Sequence, residues 1–230
     1  MKVLGLIPAR GGSKGVPKKN IRKVDGIPLI GYSINIAKQS KLITDVVVST
    51  DSDEIIEVVK SFNCEYLKRT SENAQDNSKI DDAILEVLRK LEATYDLIVL
   101  LQPTSPIREV EDIDNVIQMF VEDVNLDSVV SLVELEDIHP ARMYNLNEDH
   151  RMIGLRPELE RKRRQDLKPV YLRNGAIYAT RVSAFLKTGK FISDNKKGYV
   201  MPESKWSNVD TERDLLITET LIKEWKKGNL

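Results

Sequence analysis

The feature that most constrains this chain is an apolar run near its start that ends abruptly in a glycine-rich, basic loop. Residues 3–7 are continuously apolar, which is typical of a strand buried on both faces of a sheet. Four of the seven residues after Pro8 are glycine or serine, and Arg10 and Lys14 stand among them. Glycine allows backbone conformations in which consecutive N–H groups point at one anion. The pattern therefore predicts a phosphate-binding loop at the tip of a central strand.

The two most familiar phosphate loops do not match this stretch. A dinucleotide-binding turn requires G-x-G-x-x-G, and a Walker A loop requires G-x-x-x-x-G-K-[ST]. Residues 9–20 read ARGGSKGVPKKN, which contains neither pattern. The loop therefore predicts a phosphate site of another class.

Composition excludes several functions. The net charge is −1, so no overall field attracts nucleic acid or an anionic membrane, and any affinity for anions must be local. Cys64 is the only cysteine, which excludes an intrachain disulfide and a cysteine-rich metal site. No run approaches the roughly 18 apolar residues of a membrane span. We expect a soluble, cytoplasmic protein that binds neither nucleic acid nor membranes.

Strand and helix patterns alternate along most of the chain. Further strands are predicted by apolar runs at residues 45–49, 66–67, 97–101, 128–133 and 176–179. Helices are predicted by apolar residues at helical spacing over residues 28–37, 54–60, 80–91 and 113–120. Asp53 is the expected N-cap of the second helix, and Thr211 that of a final helix. This order predicts an α/β fold with a doubly wound, mostly parallel sheet and helices on both faces.

Ligands of such sheets bind beyond the carboxyl ends of the strands. The first loop and the turn at residues 102–106 both fall there, so we expect the two to converge on one site. Residues 134–170 interrupt the alternation, because they are polar and charged and contain no long apolar strand. Loops beyond about 15 residues are uncommon inside a compact domain unless they have a function. We therefore expect one domain over residues 1–230 with an arm or small lobe inserted at 134–170, rather than a disordered loop.

Four blocks of this sequence, in order, resemble the motifs of the acylneuraminate cytidylyltransferases, the CMP-sialic acid synthetases. They are ARGGSKGVPKKN at residues 9–20, LLQPTSPIR at 100–108, RRQDL with NGAIY at 163–167 and 174–178, and NVDTE at 208–212. The resemblance implies a Rossmann-like nucleotidyltransferase fold. It also implies transfer of CMP from CTP to an acidic nine-carbon sugar, with Mg²⁺ or Mn²⁺ as cofactor. The inserted arm would then help to form a homodimer.

The resemblance also implies a role for particular residues. The CTP phosphates would be held by Arg10, Gly11, Gly12, Ser13 and Lys14, and the cytosine edge would be read by Asn20 and Arg69. Catalysis would rest on Lys19 at the α-phosphate, together with Arg10 and Asp210. The sugar pocket would be formed by Gln102, Arg142, Asn174, Tyr178 and Phe191, with Arg142 reaching the sugar carboxylate from the arm of a partner subunit. The metal ligands would be Asp210 and Asn208.

Two positions depart from the family pattern. The family usually has an aspartate where this chain has Asn208, and several relatives have an arginine where it has Leu172. A site with one carboxylate still suits Mg²⁺, which keeps waters and uses substrate phosphates as ligands. Two alternatives remain open: a cytidylyl- or guanylyltransferase for legionaminic, pseudaminic or an octulosonic acid, and a catalytically inactive nucleotide-binding scaffold. No histidine is placed to act as the general base.

Overall fold

The computed structural model describes residues 1–70, 73, 79–135 and 137–229. Its strands are β1 Val3–Pro8, β2 Lys23–Val24, β3 Ile27–Pro28, β4 Asp45–Thr50, β5 Glu65–Lys68, β6 Leu97–Leu100, β7 Ser128–Glu134, β8 Tyr144–Leu146, β9 Met152–Gly154, β10 Tyr171–Arg181 and β11 Lys196–Met201. Its helices are α1 Leu29–Gln39, α2 Asp53–Ser61, α3 Ile80–Lys90, α4 Val110–Glu122, α5 Val182–Thr188 and α6 Glu212–Lys226.

Seven strands form the central sheet, in the order β11-β7-β10-β6-β1-β4-β5. β1 lies in the middle and pairs in parallel with both β4 and β6. β10 is antiparallel to its neighbours β6 and β7, and the other pairings of the sheet are parallel. The predicted α/β fold with a mostly parallel sheet is thus confirmed. The carboxyl ends of β1 and β6, adjacent in the sheet, lie at the same edge.

Helices cover both faces, because successive residues of a strand point to opposite sides. Val3 and Ile7 of β1 belong to a cluster that includes residues of α1, α2 and α4. Leu4 and Leu6 belong to a second cluster, with residues of α3 and α5. Burial on both faces explains why these strands are apolar without alternation.

Helix starts follow from local capping. Thr211 caps α6 as predicted, since its hydroxyl accepts from the Asp214 amide while the Asp214 carboxylate accepts from the Thr211 amide. The prediction for α2 is wrong by one residue. Ser52 is the N-cap and accepts from the Ile55 amide at 3.4 Å, so Asp53 is already helical.

The structure also contains elements that sequence patterns did not predict. β10 has 11 residues and extends well before the predicted strand at 176–179. β11 and α5 follow it, and β11 forms one edge of the sheet. Within the arm, β8 and β9 pair as a small antiparallel hairpin between short 3₁₀ turns. Among the residues described, no helix has the length and apolar character needed to cross a bilayer.

A third apolar cluster fixes the carboxyl-terminal segment beside the first loop. It joins Val16 of that loop to Val209 and to Leu215 and Ile222 of α6. The Val209 amide also donates to the Thr104 carbonyl at 2.9 Å, within the turn that follows β6. Three chain segments that are distant in sequence therefore meet at the carboxyl end of the sheet.

Candidate active site

Two cavities open at this edge of the sheet. The first, of about 380 Å³, lies between the first loop, the turn after β6 and the start of α3. Among the described residues, its lining contains five cationic side chains and a single carboxylate: Arg10, Lys14, Lys19, Arg69 and Lys79 against Asp210. A local excess of positive charge in a cleft attracts and concentrates anions even though the whole chain is nearly neutral.

Glycines of the first loop allow close backbone packing. A Cβ on Gly15 would lie 2.0 Å from the Asp210 carbonyl oxygen, so only glycine fits against the 208–210 segment. A Cβ on Gly11 would meet the Ser52 Cβ at 2.8 Å, and the Gly11 amide donates to Asp51 at 2.9 Å. Gly12 has open space around it. Of the predicted phosphate-binding residues, Arg10, Ser13 and Lys14 line the first cavity, whereas the Gly11 amide is engaged by Asp51.

Lys19 and Asp210 form the polar centre of the first cavity. The Lys19 ammonium donates to the Val209 carbonyl at 2.7 Å and to Asp210 Oδ1 at 3.0 Å. The amide of Asn208 donates to Asp210 Oδ2 at 2.6 Å. The Lys19 side chain is largely buried at 15% exposure, whereas Asp210 is 63% exposed. The lysine is thus held by the protein while the carboxylate faces solvent.

The donor set at this position fits a hard divalent cation. A carboxylate from Asp210 and an amide oxygen from Asn208 are the oxygen ligands that Mg²⁺ accepts, with waters and phosphates completing its shell. Across the described part of the chain, no group of three or more His, Cys, Asp or Glu side chains is arranged so that it could hold a metal ion. A metal here would therefore depend on its substrate for most of its ligands.

Asn20 and Arg69 both line the first cavity. Asn20 is buried, and its amide donates to the Arg10 carbonyl at 2.9 Å. Arg69 donates to the hydroxyl and carbonyl of Ser49 at 2.9 and 2.7 Å. Burial lowers the pKa of Arg69, an effect partly offset by the carboxylates of Asp51 and Glu86. Asn20 is thus held by the backbone of the first loop, and Arg69 is held by Ser49 near the end of β4.

The second cavity, of about 390 Å³, adjoins the first and shares Ile80 and Gln102 with it. Tyr178 and Phe191, both predicted for the sugar pocket, line it as well. Phe191 is buried and packs edge-to-face on Phe185, with centroids 5.8 Å apart. Burial raises the pKa of Tyr178, so its hydroxyl stays protonated at neutral pH.

Two cationic residues of the second cavity, Arg173 and Lys190, were not among the predicted site residues. Arg173 lines the cavity. Leu172, the position at which the family resemblance implies an arginine, is exposed. Lys190 also lines the cavity. Neighbouring residues of a strand point to opposite faces, and that alternation was the available signal for Arg173.

A bulge in β10 carries the NGAIY block. The register between β10 and β7 shifts between Arg173 and Tyr178, and Gly175 has a positive φ of 77°. A Cβ on Gly175 would lie 2.8 Å from the Ser105 hydroxyl. Asn174 is buried, where its Oδ1 accepts from Ser131 at 2.5 Å and from the Ala176 amide at 3.1 Å. Asn174 therefore shapes the bulge and lines neither cavity.

Arg108, the last residue of the 100–108 block, supports the site from beneath, and the sequence analysis gave it no role. It is fully buried, and its Nη2 donates to the Gln102 carbonyl at 2.6 Å and also to the Ser105 carbonyl. Burial lowers the pKa of Arg108 to about 9, which still leaves it charged at neutral pH. The guanidinium thus holds the turn that presents Gln102 to both cavities. An arginine at the end of an otherwise apolar block was the signal for it.

Arg142 lies in the arm, away from both cavities of the single chain. Its guanidinium donates to the Lys162 carbonyl at 2.7 Å and to the Glu160 carbonyl. Tyr144 of β8 also donates to the Glu160 carboxylate, at 2.5 Å. In one chain, Arg142 therefore organises the arm.

Comparison with known proteins gives a consistent result. A family model described as cytidylyltransferase matches residues 4–190. CMP-N,N'-diacetyllegionaminic acid synthase of Legionella pneumophila is 33% identical over 96% of this chain and 97% of that protein. N-acylneuraminate cytidylyltransferase of Streptococcus agalactiae serotype V is 32% identical over 94% of this chain and 52% of that protein. A solved structure of CMP:2-keto-3-deoxy-manno-octonic acid synthetase complexed with CTP superposes on this chain with a TM-score of 0.76 and 20% sequence identity. The match covers 98% of this chain and 100% of that one.

Proposed function

The chain belongs to the cytidylyltransferase family, and we propose that it transfers CMP from CTP to the anomeric hydroxyl of a nonulosonic acid. The observation that carries this proposal is the excess of cations in the first cavity, with Lys19 buried beside Asp210. A nucleoside triphosphate carries the concentrated negative charge that such a cleft attracts. The second cavity, directly adjacent, supplies space and cations for an acidic acceptor.

The reaction is an in-line displacement at the α-phosphorus. The anomeric hydroxyl of the sugar gives up its proton to solvent water as its oxygen forms the new bond to the α-phosphorus. The bond between the α-phosphorus and the oxygen that bridges to the β-phosphate breaks, and pyrophosphate leaves with that electron pair. Such chemistry requires mainly positioning and neutralisation of charge. Lys19 would neutralise charge at the α-phosphate, and Arg10 and Lys14 would hold the departing phosphates. A cation fixed in a cleft that excludes water stabilises the transition state more than a solvated one.

Cytidylyltransferases of this fold commonly use a divalent metal. Here Asp210 and Asn208 would hold Mg²⁺, with Mn²⁺ as the alternative, and the ion would neutralise phosphate charge. Lys19, whose ammonium donates to Asp210 Oδ1, would neutralise further charge at the α-phosphate.

The acceptor would be bound in the second cavity, with Gln102 between the two substrates. Tyr178 and Phe191 provide its apolar wall, and Arg173 provides a cation for the sugar carboxylate. Arg142 would approach the same carboxylate from the arm of a second copy of the chain. Relatives act on legionaminic and N-acylneuraminic acids by name, so the acceptor of this chain is a sugar of that class. We place the reaction in the cytoplasm, where CTP is made.

The test is pyrophosphate release from CTP with Mg²⁺, offered N-acetylneuraminic, legionaminic, pseudaminic and octulosonic acids separately, with GTP as the control nucleotide. We expect release with CTP and one of these acids, and a loss of about 10²–10³-fold in kcat for Lys19→Ala. Lys18→Ala is the matched control, because Lys18 is exposed, pairs with Glu54 at 2.7 Å and lines neither cavity. A folded protein that binds CTP but reacts with no acceptor would favour the scaffold alternative.

A further inference from the structure

The start of α3 separates the two cavities. Lys79, Ile80 and Ala83 line the first cavity, and Ile80 and Asp81 line the second. Another part of the wall of the second cavity is the segment 190–192, which lies between α5 and β11. The width of the second cavity therefore depends on how this segment is held relative to α3.

One hydrogen bond joins the two walls. The Phe191 amide donates to Asp81 Oδ1 at 2.8 Å, across 110 positions of sequence. The Phe191 carbonyl accepts from the hydroxyls of Thr180 and Ser128, in the sheet. The backbone of Phe191 is thus held from the sheet by its carbonyl and from α3 by its amide. Its ring is buried against Phe185, so the whole residue acts as a fixed part of the wall.

A carboxylate in the first turn of a helix also has a simpler explanation, since it stabilises the helix dipole. Asp81 and Asp82 both lie in the first turn of α3. Asp82 is exposed and lines a different surface depression, beside Arg89. Both aspartates can therefore stabilise the dipole of α3, but only Asp81 accepts the hydrogen bond from the Phe191 amide.

We propose that Asp81 is a positioning residue that sets the geometry of the acceptor cavity through the Phe191 amide. The proposal rests on the proposed function in one respect, namely that the second cavity takes the acceptor. It predicts that the acceptor, and not CTP, is affected when the bond is removed. Asparagine at position 81 retains an oxygen acceptor and preserves the bond.

The kinetic test compares Asp81→Ala, Asp81→Asn and Asp82→Ala in the full chain, with Asp82→Ala as the matched control for the dipole. For Asp81→Ala we expect the KM of the acceptor acid to rise about tenfold, while the KM of CTP changes by less than about twofold. Asp81→Asn should restore most of the acceptor KM. Equal increases of both KM values, or the same change in Asp82→Ala, would overturn the proposal.

A second measurement does not depend on turnover. Hydrogen–deuterium exchange of the peptide that contains Phe191 should be faster in Asp81→Ala than in the wild type and unchanged in Asp82→Ala and Asp81→Asn. The exchange rates could differ in this way while the wild type releases no pyrophosphate with any acid. In that case the proposed function would fail and the structural role of Asp81 would stand. Unaltered exchange in Asp81→Ala would overturn the role itself.

Discussion

Gly15 is the residue through which the first loop contacts the segment that carries Asp210. No other side chain fits, because its Cβ would fall within 2.0 Å of a backbone oxygen that cannot rotate away. The contact keeps Lys19 beside Asp210 and thereby places a buried cation next to an exposed carboxylate. At the scale of single residues, the pairing of Lys19 with Asp210 in the first cavity depends on Gly15 having no side chain.

Gly15→Ala should therefore destabilise the fold by about 1–3 kcal/mol, the usual effect of overpacking, and should displace Asp210. The measurement is the midpoint of thermal unfolding, with Gly12→Ala as the control because nothing lies within 4 Å of the Cβ it would add. A Gly15→Ala midpoint equal to that of Gly12→Ala would contradict the packing observed at this loop.

At the scale of elements, α3 holds Thr70 and Asn73, which follow Arg69 in the chain. Glu86 on this helix accepts from the Thr70 amide at 2.9 Å, from Asn73 at 2.6 Å and from Lys90 at 2.5 Å. Burial by itself would raise the pKa of Glu86, but these hydrogen bonds outweigh it and lower the pKa to about 2. Glu86 thus links α3 to Asn73, which lines the first cavity.

This carboxylate predicts an acid-sensitive contribution to stability. The pKa of Glu86 is lower in the folded chain than its ordinary value of 4.5, so the unfolded chain binds the proton first as pH falls. The contribution is present above about pH 4.5 and is lost as pH falls toward about 2. The unfolding midpoint of the wild type should exceed that of Glu86→Gln most near pH 6–7, and the difference should shrink by pH 3.

The control for Glu86→Gln is a glutamate that makes a single exposed ion pair. Glu57→Gln provides it, because Glu57 is exposed and pairs with Lys60 on the same helix. We expect the effect of Glu86→Gln at pH 6–7 to exceed that of Glu57→Gln. Equal effects would show that the hydrogen bonds of Glu86 do not contribute to stability.

At the scale of the whole molecule, the arm exposes apolar surface. Leu146 and Met152 are directly opposite each other in the β8–β9 hairpin, and they are 61% and 62% exposed. Ile153 and Leu155 of the arm are exposed as well. Exposed apolar clusters of this kind are typical of protein–protein interfaces. A second copy of the chain is the partner that our functional proposal requires.

We therefore expect Leu146→Glu combined with Met152→Glu to convert a dimer into a monomer in sedimentation velocity, without loss of the folded domain. Leu216→Glu on α6 is the control, because Leu216 is 69% exposed and lies outside the arm. If the wild type sediments as a monomer, or if the double variant stays dimeric, the role assigned to the arm is wrong.

If Arg142 completes the site of a second copy of the chain, two inactive variants should complement each other. Arg142→Ala and Lys19→Ala are each expected to lose most activity. An equal mixture, after subunit exchange, should recover about a quarter of wild-type activity, because half of the dimers are mixed and each has one intact site. No recovery would indicate that Arg142 acts within its own chain, and full activity of Arg142→Ala alone would show that Arg142 has no role in the reaction.

Local sequence was sufficient to predict most of the fold. Uninterrupted apolar runs identified β1 and β6, because strands buried on both faces leave no polar positions. Thr211 identified the start of α6, because capping involves only neighbouring residues. The direction of β10 was not predictable in this way, since an apolar strand carries no local mark of whether its partners are parallel.

For the site, the sequence by itself determined the chemistry, and the tertiary structure decided the arrangement. The glycines, arginines and lysines of the first loop predicted an anion site, because charge and backbone freedom are properties of the residues themselves. The hydrogen bond between Asp81 and Phe191 joins residues that are 110 positions apart in the sequence. The two hydrogen bonds from Arg108 Nη2 to the Gln102 and Ser105 carbonyls form only when the turn folds back on itself. Contacts of this kind exist only once the sheet has brought distant segments together, because a hydrogen bond depends on the distance between atoms in space and not on their separation along the chain.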